Sequence, residues 1–163
     1  MKKRCAAVLS AAVLMTATLG GCAQSVDTTP VWQTDLPNTG VHMELSNAEI
    51  VSDGGVMYAH TREDADAQNY QDMSAVQAEG APVVTFSGVT ADEVSLVFLE
   101  SIGELFVDYD RVNPQIKLDY VLTENADSVS YKLDTAYNFA FTVTTDKGSD
   151  TYLVVSKRSD IQQ

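Results

Sequence analysis

Tyr137 to Lys157 reads YNFAFTVTTDKGSDTYLVVSK. Two runs of β-branched and aromatic residues, Tyr137–Thr144 and Thr151–Lys157, flank a polar stretch, Thr145–Asp150, whose Gly148 suits a hairpin tip. The chain therefore ends in an antiparallel hairpin, and the rest is read outward from it.

Upstream, Ser128–Leu133 (SVSYKL) and Gln115–Thr123 (QIKLDYVLT) alternate apolar residues with polar or small ones and predict two more strands. Thr90–Asp110 is ambiguous. Thr90-Ala91-Asp92-Glu93 matches a capping box and the apolar residues after it recur near the helical period, but Gly103 interrupts them and Val, Phe and Tyr dominate. Two strands joined through Glu100–Glu104 are the favoured reading, with a short helix in 90–103 as the alternative. Val83–Ser87 reads as a strand. The polar stretch Thr61–Ala81 reads as a loop or one short helix. Val41–Ser46 alternates Val41, Met43 and Leu45 against His42, Glu44 and Ser46, and Asp53-Gly54-Gly55 suggests a tight turn into Val56–His60, making a first hairpin. Short strands with turn signals every ten or so residues predict a mostly β domain over 41–163, a single antiparallel β-sandwich.

Leu133-Asp134-Thr135-Ala136-Tyr137-Asn138-Phe139, running into the terminal hairpin, resembles the approach to the penultimate strand of immunoglobulin-like and fibronectin type III domains, where a Tyr forms a corner contact. The resemblance implies an immunoglobulin-like sandwich. The chain departs from that pattern in having no cysteine two residues beyond Tyr137 and no tryptophan in mid-domain.

The other end has a different character. Met1-Lys2-Lys3-Arg4 is basic, and Cys5–Leu19 is an uncharged apolar run, shorter than the roughly 20 residues of a permanent membrane helix. Leu19-Gly20-Gly21-Cys22 follows and resembles the lipobox of bacterial lipoprotein precursors. That resemblance implies cleavage before Cys22, with 1–21 as a signal peptide, and a diacylglycerol on the Cys22 sulfur. It also implies residence on the outer face of the cell membrane, or in the outer membrane of a host with two; residue 23 is Ala, not the Asp of an inner-membrane retention signal. Residues 22–40, rich in Thr, Asp, Asn and Pro, read as a lipidated, flexible tether. Trp32 within it is expected to pack on the edge of the domain.

The sequence holds 23 acidic and 10 basic residues, a formal charge of −13, and loss of Lys2, Lys3 and Arg4 with the signal segment makes it −16. Nucleic acid binding needs clustered cations to replace counterions, so it is excluded as an expectation. With Cys5 discarded and Cys22 lipidated, no internal disulfide is expected, and stability must come from a packed core.

Catalytic chemistry leaves few candidates. His42 and His60 are the only imidazoles, and each reads as an ordinary exposed residue. No Gly-x-Ser-x-Gly, Ser-x-x-Lys or His-Glu-x-x-His pattern occurs. Two acidic stretches, Glu63-Asp64-Ala65-Asp66 and Asp108 to Asn113, gather oxygen ligands without the order of a calcium loop. No enzyme activity, metal or cofactor is expected. The expected function is a non-catalytic binding or interaction module at the cell envelope, holding a protein or glycan; the alternatives are an accessory subunit of an envelope complex and a small hydrolase using paired carboxylates.

Overall fold

A computed structural model describes residues 29–109, 120–133 and 138–156. The lipobox with Cys22, the segment Asp134–Tyr137, residues 110–113 of the second acidic stretch and residues 115–119 of the strand expected over Gln115–Thr123 lie outside the described residues. What is described is mostly β.

The terminal hairpin forms as its pattern demands. β8 (Asn138–Thr145) and β9 (Gly148–Ser156) pair antiparallel in register from Phe139↔Val154 to Thr145↔Gly148, so only Asp146 and Lys147 make the turn. β4 (Val94–Ile102) and β5 (Leu105–Asp108) are the two strands expected in 90–110, turning at Gly103 with its φ of +64°. Ahead of them the capping-box residues make one 3-10 turn, Ala91–Glu93, in which the Glu93 carboxylate accepts from Thr90 N and Oγ1. β6 (Tyr120–Asn125) and β7 (Ser128–Leu133) form another antiparallel pair.

Three expectations change in the first half. β2 (His42–Ala59) runs unbroken through Asp53-Gly54-Gly55, so no hairpin forms there. Thr61–Ala81 divides into a helix of one turn, α1 (Arg62–Asp66), and the start of β3 (Gln71–Ser87), which pairs with β2 from Tyr58↔Gln71 to His42↔Ser87. Cross-strand pairing with β2 overrides the weak strand propensity of Gln71–Ala81. Pro30–Asp35, expected inside the tether, is a strand, β1, paired antiparallel with the start of β2.

The nine strands make one sheet, ordered β1-β2-β5-β4-β8-β9-β3-β7-β6, and β2 also pairs with β3. That extra pairing closes β2, β5, β4, β8, β9 and β3 into a ring. The sandwich expectation had every pair antiparallel; instead β2–β5 and β3–β9 are parallel. The long β2–β3 hairpin explains this. Its open end is flanked by β1 and β7, its closed end by β5 and β9, so one hairpin serves two sets of neighbours.

Both faces of the central strands are consequently buried. On one face Phe139, Phe141, Val143, Tyr152, Val154 and Val76 join Met43, Leu45, Val84 and Phe86 in the larger core. On the other, Ala140, Leu153, Val155 and Ala75 join Tyr58 and Leu99, with Val56, Met73 and Phe106 packed against them. Every ring strand contributes to this smaller cluster, which is the filling of the ring.

Candidate functional site

Between β1 and β5 the outer edge of β2 is open. β1 pairs with β2 only as far as Ser46, and β5 begins to pair at Met57. Among the described residues no strand lies against that edge between those points. Each β2 residue there offers a backbone N–H and C=O, and pairing with β3 on one side leaves alternate groups pointing outward.

A cleft of about 300 Å³ lies along this stretch, lined by the consecutive residues Ser52 to Val56 together with Ala75, Gln77, Phe106 and Val155. The pleat sorts its side chains. Ser52↔Gln77 and Gly54↔Ala75 are cross-strand pairs, so these four and Val56 share the face of the ring's interior. Ser52 Oγ donates to Gln77 Oε1 at 3.1 Å, forming a neutral polar rim above the apolar floor of Phe106, Val56 and Val155. Gly54 leaves the wall bare, since a Cβ there would meet nothing within 4 Å.

Asp53 points to the opposite face. Its carboxylate accepts from Trp32 Nε1 at 2.8 Å and from Tyr152 OH at 3.1 Å, and the two aromatic rings pack with centroids 5.4 Å apart. Trp32 thus packs on the domain edge as expected, and ties β1 to the wall of the cleft. Burial, then the neighbouring Asp53 charge, pushes the Tyr152 hydroxyl well above the usual phenol range.

The two histidines are each held. His42 Nδ1 lies 2.6 Å from Asp35 Oδ1 and its Nε2 lies 3.2 Å from Glu44 Oε1. The hydrogen bond to Asp35 does most to raise its pKa. His60 Nδ1 is 2.9 Å from Tyr58 OH, which donates to Asp108 Oδ1 at 2.7 Å. Desolvation, then the bond to Asp108, raises the Tyr58 pKa far above its ordinary value.

The first acidic stretch has local work. Asp64 accepts from Thr61 and Asn69 around α1, bonds that hold its carboxyl below the usual range, and Arg62 pairs with Glu100. Among the described residues no three His, Cys, Asp or Glu side chains are grouped to hold a metal, and no helix is long and apolar enough to cross a membrane.

Sequence reasoning missed the open edge. Its signal was present in Asp53-Gly54-Gly55, where glycines inside a strand mark a bulge or the close approach of another backbone as readily as a turn. Comparison with known proteins finds no matching family model, no matching curated protein and no matching solved structure.

Proposed function

We propose that this chain is a lipid-anchored envelope protein whose β domain is a non-catalytic binding module for a protein or glycan partner. The observation that carries the binding half is the cleft along the open edge of β2, with its apolar floor, neutral polar rim and a main chain that no strand among the described residues pairs on that side. Such a mixture of apolar surface and a few placed polar groups is the usual make-up of a recognition site. The immunoglobulin-like comparison stays part of this reading at the level of the terminal hairpin, whose strands supply much of both cores.

The anchoring half rests on Leu19-Gly20-Gly21-Cys22 behind a basic start and an apolar run. Chain length then sets the position of the domain. Seven residues separate Cys22 from Pro30, at most about 28 Å of extended chain from one to the other, so β1 and the cleft to which Trp32 is joined lie close to the bilayer.

The test of the anchor compares intact mass and membrane partitioning of the full-length wild type with those of Cys22→Ala, both expressed in a bacterium. The expected wild type lacks residues 1–21, carries lipid and sediments with membranes, while the variant stays unprocessed or is released. Identical masses and partitioning for the two would overturn the anchor.

A further inference from the structure

We propose that the partner enters as an extended peptide strand that adds to the open edge of β2 between Ser46 and Met57, with its side chains alternating into the cleft. This rests on the binding reading and names the chemistry of the partner.

Hydrogen bonding selects the occupant. An edge strand presents donors and acceptors in the spacing of another strand, and only a polypeptide in extended form returns them in kind. The open stretch covers about ten residues of β2; register shifts at Ser46/Ala48 and Ile50/Ser52 and the φ of +57° at Asn47 break its first half, so the regular edge offered to a strand is Ser52–Val56, on the order of 17 Å at the strand rise. It is bounded at both ends by strands bound to the same edge, β1 antiparallel and β5 parallel.

The local sequence fits that use. Gly54 and Gly55 remove two consecutive side chains where an incoming backbone would lie. Gly55 is already committed, because a Cβ there would sit 2.2 Å from Asp72 Oδ1; Gly54 is free, with nothing near. A neutral rim and an apolar floor of Phe106, Val56 and Val155 take every second side chain of the incoming strand, which should be apolar or neutral on that face. The acidic charge of the whole chain favours basic residues on the other face or in the flanks.

The experiment uses the full mature chain in detergent micelles and a phage-displayed library of random octapeptides. The expected peptides alternate neutral and basic residues. Their binding slows amide exchange in 48–56, and N-methylation at alternate peptide positions weakens binding at least tenfold in one register and little in the other. Gly54→Leu, placed in open space, should also cost tenfold or more in affinity while the remaining amide spectrum is unchanged. Equal affinity after N-methylation in both registers, or an unaffected Gly54→Leu variant, would overturn strand addition. So would slow exchange, in the free chain at every concentration, of the alternate amides in 48–56 that point away from β3, which would assign the edge to another segment of this chain. Protection that rises with protein concentration would assign it to a second copy, with the same consequence. If no peptide is selected but soluble cell-wall glycan fragments shift the same amides, the binding reading survives and strand addition falls; if neither acts there, both fall.

Discussion

Two side chains hold the turn between β1 and β2, and they titrate in opposite directions. Both ring nitrogens of His42 face carboxylates, so both must donate and the bridged ring is an imidazolium. Across the β2–β3 pair His42 faces Ser87, which does not titrate, so Asp35 and Glu44 set its charge preference. Its pKa is raised above the ordinary 6.5. The bridge is therefore fully present below 6.5 and is lost as pH rises through the higher folded value. Asp150 behaves oppositely. It is buried, which alone would raise its pKa, but hydrogen bonds from Thr39 N and Oγ1 and from Asn38 N and Nδ2 outweigh burial and hold it below 3.8. Its contribution is present above 3.8 and is lost as pH falls through the lowered value. Amide protection in 36–41, taken relative to the intrinsic exchange rate at each pH, should accordingly be highest between the two windows and fall on either side; a flat protection profile would refute the pairing. Asp150→Asn places an NH₂ against donors and should cost about 2 kcal/mol in urea unfolding. At His60 the same logic fixes a tautomer. The single Tyr58 proton goes to Asp108, so the imidazole must donate through Nδ1. Asp108 Oδ2, 3.6 Å from the same nitrogen, favours the same tautomer. Long-range ¹⁵N NMR at pH 8 should show Nδ1–H in the wild type and a larger share of Nε2–H in Asp108→Ala; Nε2–H in the wild type would break the relay.

At the scale of elements the critical piece is the bend in the β2–β3 hairpin, where it changes neighbours from β1 and β7 to β5 and β9. Register irregularities fall at Ser46/Ala48 and Ile50/Ser52, Asn47 adopts a φ of +57° and donates to Ala81 O at 2.8 Å, and Gly80 sits opposite with a φ of +108°. A Cβ at Gly80 would lie 3.3 Å from Asn47 O. Gly80→Val combines a strained φ with that contact and should destabilise by about 2 kcal/mol or more, read as a lower urea midpoint. Gly54→Ala, with an ordinary φ and open space, should change the midpoint little; equal losses would show that the bend is not special. This element also marks how far the sequence could be read. Ser128–Leu133, built on alternation, and the terminal hairpin, two runs of strand formers around a glycine-bearing turn, were legible because period, propensity and turn chemistry are local properties. The polar start of β3 was not, since its residues become strand through pairing with β2 along their length and, over Ala75–Ala78, with the distant β9, as with Leu153 opposite Ala75. The Asp53-Gly54-Gly55 signal was visible and ambiguous, as glycine permits a turn and a close backbone approach alike. The open edge could not be seen before the pairings of β1 and β5 were known, because an edge is defined by what its neighbours leave uncovered.

Over the whole molecule, the ring makes the two cores inseparable. β3, β8 and β9 each send alternate residues to the larger and the smaller cluster: Val76 and Ala75, Phe139 and Ala140, Val154 and Leu153. Removing support from one face of these strands loosens the backbone that holds the other, so the domain should unfold in one step rather than as two layers. Leu153 and Trp32 allow this to be tested. Leu153 is fully buried in the ring filling, while Trp32, the sole tryptophan, packs on the other side against Tyr152 at the margin of the larger core. Leu153→Ala should cost about 2–5 kcal/mol, the range for emptying a buried leucine site. Because Leu153 adjoins Tyr152 on β9, the loss should reach Trp32 through the strand. Trp fluorescence and far-UV circular dichroism should then give coincident urea transitions in the wild type, and both should move by the same amount in the variant. If Trp32 fluorescence kept its midpoint while the circular dichroism transition fell, the wing that carries β1 would be an independent unit. The cleft would then lie on a joint between two units, and strand addition at β2 would join a separately folding wing to the ring.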